Sequence, residues 1–176
     1  MDNVVRKRAG VLVCTILVVT TMLCSCRVVD SITNGINRKK EIETMAQQIM
    51  QCIVDENKEK LLTFFSSDIQ RNHAQQIELE LDRAFEFING KIVSYKYNGI
   101  HGEYESINSG SIDFFGCSAE FCNVTTDTGF EYVVRLPFYY TWREKPEREG
   151  ISMIAILDAK NFNNYVEVGF IYSDNE

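Results

Sequence analysis

The chain has 176 residues, with 18 basic and 25 acidic side chains and a net charge of −7. Hydrophobic residues make up 45% of it, enough to core a single domain of ordinary size. The acidic balance excludes a nucleic-acid binder, since phosphate contacts need a basic footprint. It also argues against a broad lipid-binding face.

The first predicted element is a secretory signal. Arg6, Lys7 and Arg8 form a basic start, an apolar run extends from Ala9 to Leu23, and Cys24 and Ser25 are small. The run falls short of the about 20 apolar residues a membrane span needs, and Thr15, Thr20 and Thr21 dilute it. Leu23-Cys24-Ser25-Cys26 resembles the bacterial lipobox. That resemblance implies cleavage between Ser25 and Cys26 and conversion of the Cys26 thiol to a diacylglyceryl thioether. Two acyl chains then anchor the protein, because each buried methylene contributes about 0.8 kcal/mol. The alternatives are an uncleaved signal anchor and a plain secreted protein. The expected organisation is a signal peptide over 1–25, a lipidated Cys and short tether over 26–37, and one α+β domain over 38–176. The expected location is the extracytoplasmic face of the cell membrane.

Removal of 1–25 takes Asp2, Arg6, Lys7 and Arg8 with it, leaving 15 basic and 24 acidic side chains, net −9. Arg27, Arg38, Lys39 and Lys40 either face anionic headgroups or form a solvated helix start. Cys52, Cys117 and Cys122 remain after processing. An odd number argues against a disulfide framework, so buried free thiols are expected.

From Lys39 to Val54, Ile42, Met45, Ala46, Ile49, Met50 and Ile53 recur at helical spacing. Leu61, Leu62, Phe64 and Phe65 predict a short second helix. Ser67 or Asp68 can cap a third, running to about Asn89, with Ile77, Leu81, Ala84, Phe85 and Ile88 as its stripe and Asn89-Gly90 as its C-cap. The period then changes. Ile92 to Tyr97 reads as a strand, Asn98-Gly99 as a turn, and 101–111 as a polar loop. Ile112 to Thr126 reads as a strand, bulged at Gly116. Asp127-Thr128-Gly129 marks a tight turn. Phe130 to Trp142 is the clearest strand, with Phe130, Tyr132, Val134, Leu136, Phe138, Tyr140 and Trp142 on one face. Pro137 suggests an edge or a bulge. Ile151 to Leu157, apolar on both faces, reads as a central strand, and Tyr165 to Tyr172 as the last one. Helices followed by antiparallel strands predict an α+β fold, with N-terminal helices packed on a curved sheet.

Three stretches carry a family resemblance. They are Ala84-Phe85-Glu86-Phe87-Ile88-Asn89-Gly90-Lys91-Ile92-Val93-Ser94-Tyr95, Gly150-Ile151-Ser152-Met153-Ile154-Ala155-Ile156, and Val168-Gly169-Phe170-Ile171-Tyr172. They resemble a lipoprotein family described as domain of unknown function 5104, and the likeness extends over most of residues 37–172. It implies a Gram-positive origin and a cone-shaped fold similar to nuclear transport factor 2, with a pocket between helix and curved sheet. Proteins of that fold include isomerases, dehydratases and binding modules, so fold does not fix function. The resemblance supplies no catalytic residues.

The residues themselves point away from several chemistries. His73 and His101, the two histidines, lack ligand-spaced partners, so no metal site is expected. No Gly-x-Ser-x-Gly elbow is present. Acid–base work would need a carboxylate raised by burial, and Asp113, Glu131 and Asp158, with Arg135, are the charged strand residues that bear on it. Tyr132, Tyr140 and Trp142 are the binding candidates, as flat apolar surface with polar tips, or else simply core. The expectation is a non-enzymatic module for a small molecule, peptide or protein, without a cofactor, held at the membrane by its lipid. A homodimer stays open, and a pocket enzyme of isomerase or dehydratase type is the alternative.

Overall fold

The structure is a computed structural model that describes residues 35–108 and 111–170. The signal segment, Ser25, Cys26 and the tether up to residue 34 lie outside the described residues. Contacts divide the chain into residues 1–41 and 42–176. Among the described residues, the first unit contributes the opening of a helix, and the second contains the sheet.

The first helix, α1, spans residues 35–54 and so takes in three residues read as tether. Its apolar stripe is buried at Ile42, Ala46, Ile49, Met50 and Ile53. Helix α2 (Lys58–Leu62) starts where Asn57 accepts a hydrogen bond from the Lys60 N–H at 3.0 Å. It stops before Phe64 and Phe65. The expected third helix is two. Helix α3 (Ser67–Asn72) is capped by Ser66, not by Ser67 or Asp68, and α4 covers Ala74–Phe87. His73 separates them with φ −133° and ψ 9°. In an unbroken helix Ile69 would lie about 80° round from Ile77. With the break, Ile69, Ile77, Leu81 and Ala84 all reach the core.

Ile88 leaves α4 in an extended conformation, so Asn89-Gly90 forms a corner beyond the helix and not its cap. Gly90 has φ +93°, and a Cβ there would run into the Asp127 carboxylate and the Thr128 side chain. Those two residues clasp the corner. Asp127 Oδ1 accepts from the Lys91 N–H at 2.8 Å, and Thr128 Oγ1 donates to Asn89 O at 2.5 Å.

Beyond the corner come six strands: β1 (Ile92–Asn108), β2 (Ser111–Thr126), β3 (Glu131–Trp142), β4 (Gly150–Ile151), β5 (Met153–Asp158) and β6 (Asn161–Gly169). They form one antiparallel, curved, unclosed sheet in the order β1-β2-β3-β5-β6, with β4 beside β3. The fold is α+β, helices packed on one face of this sheet. Ile42, Ile49, Met50, Leu61, Ile69, Ile77 and Leu81 meet Phe115, Phe121, Val134, Leu136, Ile154, Ile156 and Val168 in one core.

Three strand expectations need correction. Strand β1 runs straight through Asn98-Gly99, where Gly99 (φ +102°) sits at a register shift and not at a turn. Residues 101–108 are strand and not loop: their side chains are exposed, but their backbone pairs with β2. Pro137 lies not at an edge but beside a bulge in the neighbouring strands: Phe138 pairs with Ile151 and Arg135 with Ala155, so residues 136–137 face the three residues 152–154. Its carbonyl accepts from the Ser152 N–H at 3.2 Å, so its missing N–H faces the same side, where β4 gives way to β5. The proline thus coincides with the break between those two short strands. A bulge does occur opposite Gly116, but the extra residue is Tyr140. Phe115 pairs with Thr141 and Gly116 with Tyr139, leaving Tyr140 over.

Candidate functional site

Alternation along β2 and β3 sends Phe115, Cys117, Ala119 and Phe121, with Tyr132, Val134, Leu136 and Phe138, to the helices. It sends Ser118, Glu120, Arg135, Pro137 and Tyr139 to the opposite face. That outer face carries a groove of about 490 Å³. Gly102 and Gly116 keep its floor low, Tyr104, Phe114, Pro137 and Tyr139 wall it, and His101, Ser118, Glu120 and Arg135 make its polar end. The Phe114 ring leans over Gly116, whose added Cβ would meet Phe114 Cζ at 3.2 Å.

Cross-strand register sets the polar end. Glu120 stands opposite Arg135 on β3 and opposite Gly99 on β1. Arg135 Nε donates to Glu120 Oε2 at 2.9 Å, and Asn98 Nδ2 donates to Oε1 at 2.7 Å. Burial pushes the Glu120 carboxyl up, but the hydrogen bonds from Arg135 and Asn98 outweigh it and hold the group below its ordinary value. An ionised carboxylate with both oxygens engaged is a poor general acid and a poor base.

The three aromatic candidates do not share a face. Tyr132 is buried on the helix side. Its hydroxyl accepts from the Asn89 N–H at 2.9 Å and donates to Phe87 O at 3.2 Å, binding the exit of α4 to the sheet. Tyr140, the bulge residue, meets Phe115 edge-on at 6.4 Å. Past the bulge the parity flips. Trp142 pairs with Phe114 and packs on Phe114 at 5.2 Å and Tyr139 at 5.0 Å, with Lys145 and Arg148 each 5.5 Å from its ring. Trp142 therefore backs a wall of the groove, while Tyr132 and Tyr140 belong to the core side.

The charged candidates also part company. Arg135 lines the groove. Asp113 pairs with Arg143 at 3.2 Å. Asp158 accepts from the Lys160 N–H at 2.8 Å, and that bond, with lesser help from Asn164 and Asn161, holds it low in a solvent-exposed hairpin. Glu131 opens β3, its backbone carbonyl accepting from the Ala159 N–H. Of the histidines, His101 reaches the groove with Nε2 3.2 Å from Asn98 O, whereas His73 packs on Phe170 at 5.1 Å. Among the described residues no three His, Cys, Asp or Glu side chains stand together as a metal site. Cys52, Cys117 and Cys122 are free thiols, and burial pushes Cys52 up. The Tyr97 hydroxyl, on the helix side against Phe121, is pushed up to about 12 by burial and by Glu43.

A second hollow, of about 430 Å³, lies where α1 and α4 end near Gly90, with Asp55, Glu56 and Lys91 at its rim. Among the described residues no helix is long and apolar enough to cross a membrane.

Sequence reasoning missed Phe114, Ser118, Glu120 and Tyr139. The available signal was a carboxylate, Glu120, inside an otherwise apolar strand. Comparison with curated proteins yields no match. A family model does match, over residues 48–161, which takes in α2 to β5 and every residue of the groove. This chain belongs to the family described as Domain of unknown function (DUF5104).

Proposed function

We propose that the chain is a membrane-anchored extracytoplasmic lipoprotein whose domain is a non-enzymatic binding module, with the outer-face groove as its site. The observation that carries the binding reading is the groove itself: apolar walls, a low glycine floor and one fixed polar end, within the size range of small-molecule sites. The carboxylate facing it is held ionised and doubly bonded, which favours binding over acid–base catalysis. The anchor rests on the basic start, the apolar run and Leu23-Cys24-Ser25-Cys26. The mature chain then begins at Cys26, and the tether is shorter than the composition suggested, because α1 is under way by residue 35. Helices laid on one face of a curved antiparallel sheet support a fold similar to nuclear transport factor 2. In this chain Phe115, Phe121 and Tyr132 fill the middle of the space between helices and sheet, which favours the other face for the binding role.

One experiment tests both parts. The full chain, produced in a bacterium and extracted from its membranes, is measured by native mass spectrometry. The expected result is a polypeptide beginning at Cys26 with a diacylglyceryl addition, plus a non-covalent mass lost on denaturation. An unprocessed mass would sink the anchor. A bare mature mass that takes up nothing from a cell-envelope extract would sink the binding role.

A further inference from the structure

The balance of donors and acceptors at the polar end says which ligands fit. Glu120 has each oxygen taken, one by Asn98 and one by Arg135. Arg135 is the reverse case. It gives its Nε–H to Glu120, and among the described residues its side chain makes no other hydrogen bond. The side chain is 48% exposed, so the Nη edge of the guanidinium is open. That edge offers two parallel N–H donors, the geometry that matches a carboxylate or similar oxyanion. Glu120 fixes the planar fork from its Nε side and thereby orders it before a ligand arrives. Ser118, on the same face of β2 and opposite Pro137, adds a hydroxyl that makes no hydrogen bond within the described residues. The open valence of Arg135 is donor in kind, His101 has its Nε2 against Asn98 O, and the walls are Tyr104, Phe114, Pro137 and Tyr139.

We infer that the groove takes a small molecule with a single carboxylate-like head and an apolar, preferably aromatic, body. The head lies on the Nη edge of Arg135 with Ser118 beside it, and the body lies between Phe114, Pro137 and Tyr139. This deepens the binding reading and rests on it. A cationic head would face Arg135, and a neutral one would leave the fork solvated with nothing gained. The paired Glu120 charge keeps the site from attracting anions in general, so recognition requires head and body together.

The test uses the full chain in lipid nanodiscs, with empty nanodiscs as the blank, and three matched probes: 4-phenylbutyrate, 4-phenylbutan-1-ol and 4-phenylbutylamine. Isothermal titration calorimetry is expected to give the carboxylate about tenfold tighter binding than the alcohol, with the amine weakest, since a charge-assisted forked pair is worth about that factor. Arg135→Gln should bring the carboxylate to the alcohol's affinity and leave the alcohol unchanged. Arg135→Lys, which keeps the charge and loses the fork, should fall between. Tyr139→Ala should weaken all three. Equal binding of the probes, abolished by Tyr139→Ala, would overturn the anionic head and leave the groove as an apolar binding site. Tightest binding by the amine, or an intact preference in Arg135→Gln, would also overturn it. If no probe binds, the inference falls. The binding reading falls with it only if the membrane-extracted chain also carries no retained mass.

Discussion

Replacing Tyr132 with Phe should cost about 1–2 kcal/mol, read as a shifted midpoint in urea, because the hydroxyl both accepts from Asn89 and donates to Phe87. An unchanged midpoint would mean that water takes over both bonds. Glu120 makes a prediction in pH. Its folded carboxyl lies below the ordinary value of 4.5, so the folded state binds the proton less readily than the unfolded chain. The stabilisation is therefore complete above about pH 4.5 and is lost as pH falls through the lower, folded value. Glu120→Gln should flatten that acid limb when melting temperature is followed against pH, and parallel curves would refute the assignment. At this scale the sequence was partly legible. The alternation along 130–138 placed Arg135 on the face away from the aromatic row, where it lies. It could not place Glu120, because opposition across two strands depends on register, and register is a property of the pair of strands.

At the scale of elements, burial was legible and pairing was not. The stripe of α1, the apolar row from Tyr132 to Phe138 and the two-sided apolarity of 151–157 all appear in the structure as read. Hydrophobic periodicity reports which side chains leave water. Residues 101–108 keep theirs exposed while their backbone pairs with β2, so their composition reads as loop. The Tyr140 bulge hides for another reason. One extra residue reverses every face beyond it, and two adjacent tyrosines give no sign of which is extra. Other positions declare themselves only in three dimensions. Gly169 has φ +85°, and a Cβ there would meet the Ser152 carbonyl and Phe65. Its N–H donates to Glu80 Oε2 at 2.8 Å, tying β6 to α4. Gly169→Ala should cost about 3 kcal/mol or more, from backbone strain and contact together, and a melting temperature within a degree of wild type would contradict this.

At the scale of the whole molecule, the groove and the proposed anchor answer different questions, and one substitution separates them. Cys26→Ala should move the protein out of the membrane fraction without changing its affinity for any ligand of the groove. Fractionation with the membranes after that change would mean that 9–23 holds the chain there and that Cys26 does not. Net charge enters here too. With 1–25 removed as proposed, the remaining chain carries −9, which disfavours attachment to an anionic surface through its own side chains and accords with the proposed lipid anchor.

The bonds that close the helices onto the sheet join distant parts of the chain. Ser67 Oγ reaches Glu147 O across 80 residues, Glu80 reaches the Gly169 N–H across 89, and Ser66 and Phe64 exchange backbone hydrogen bonds with Ile151. Strands β2 and β3, and β5 and β6, are by contrast joined by short turns. Closing long loops is slow, so hairpins and helices should form first and this seam last. Weakening the seam would then leave the refolding rate nearly untouched and show itself as faster unfolding. Where damage is set by how frequently a fold opens, as it would be at the proposed location outside the cell, those few hydrogen bonds would govern lifetime more than they govern yield.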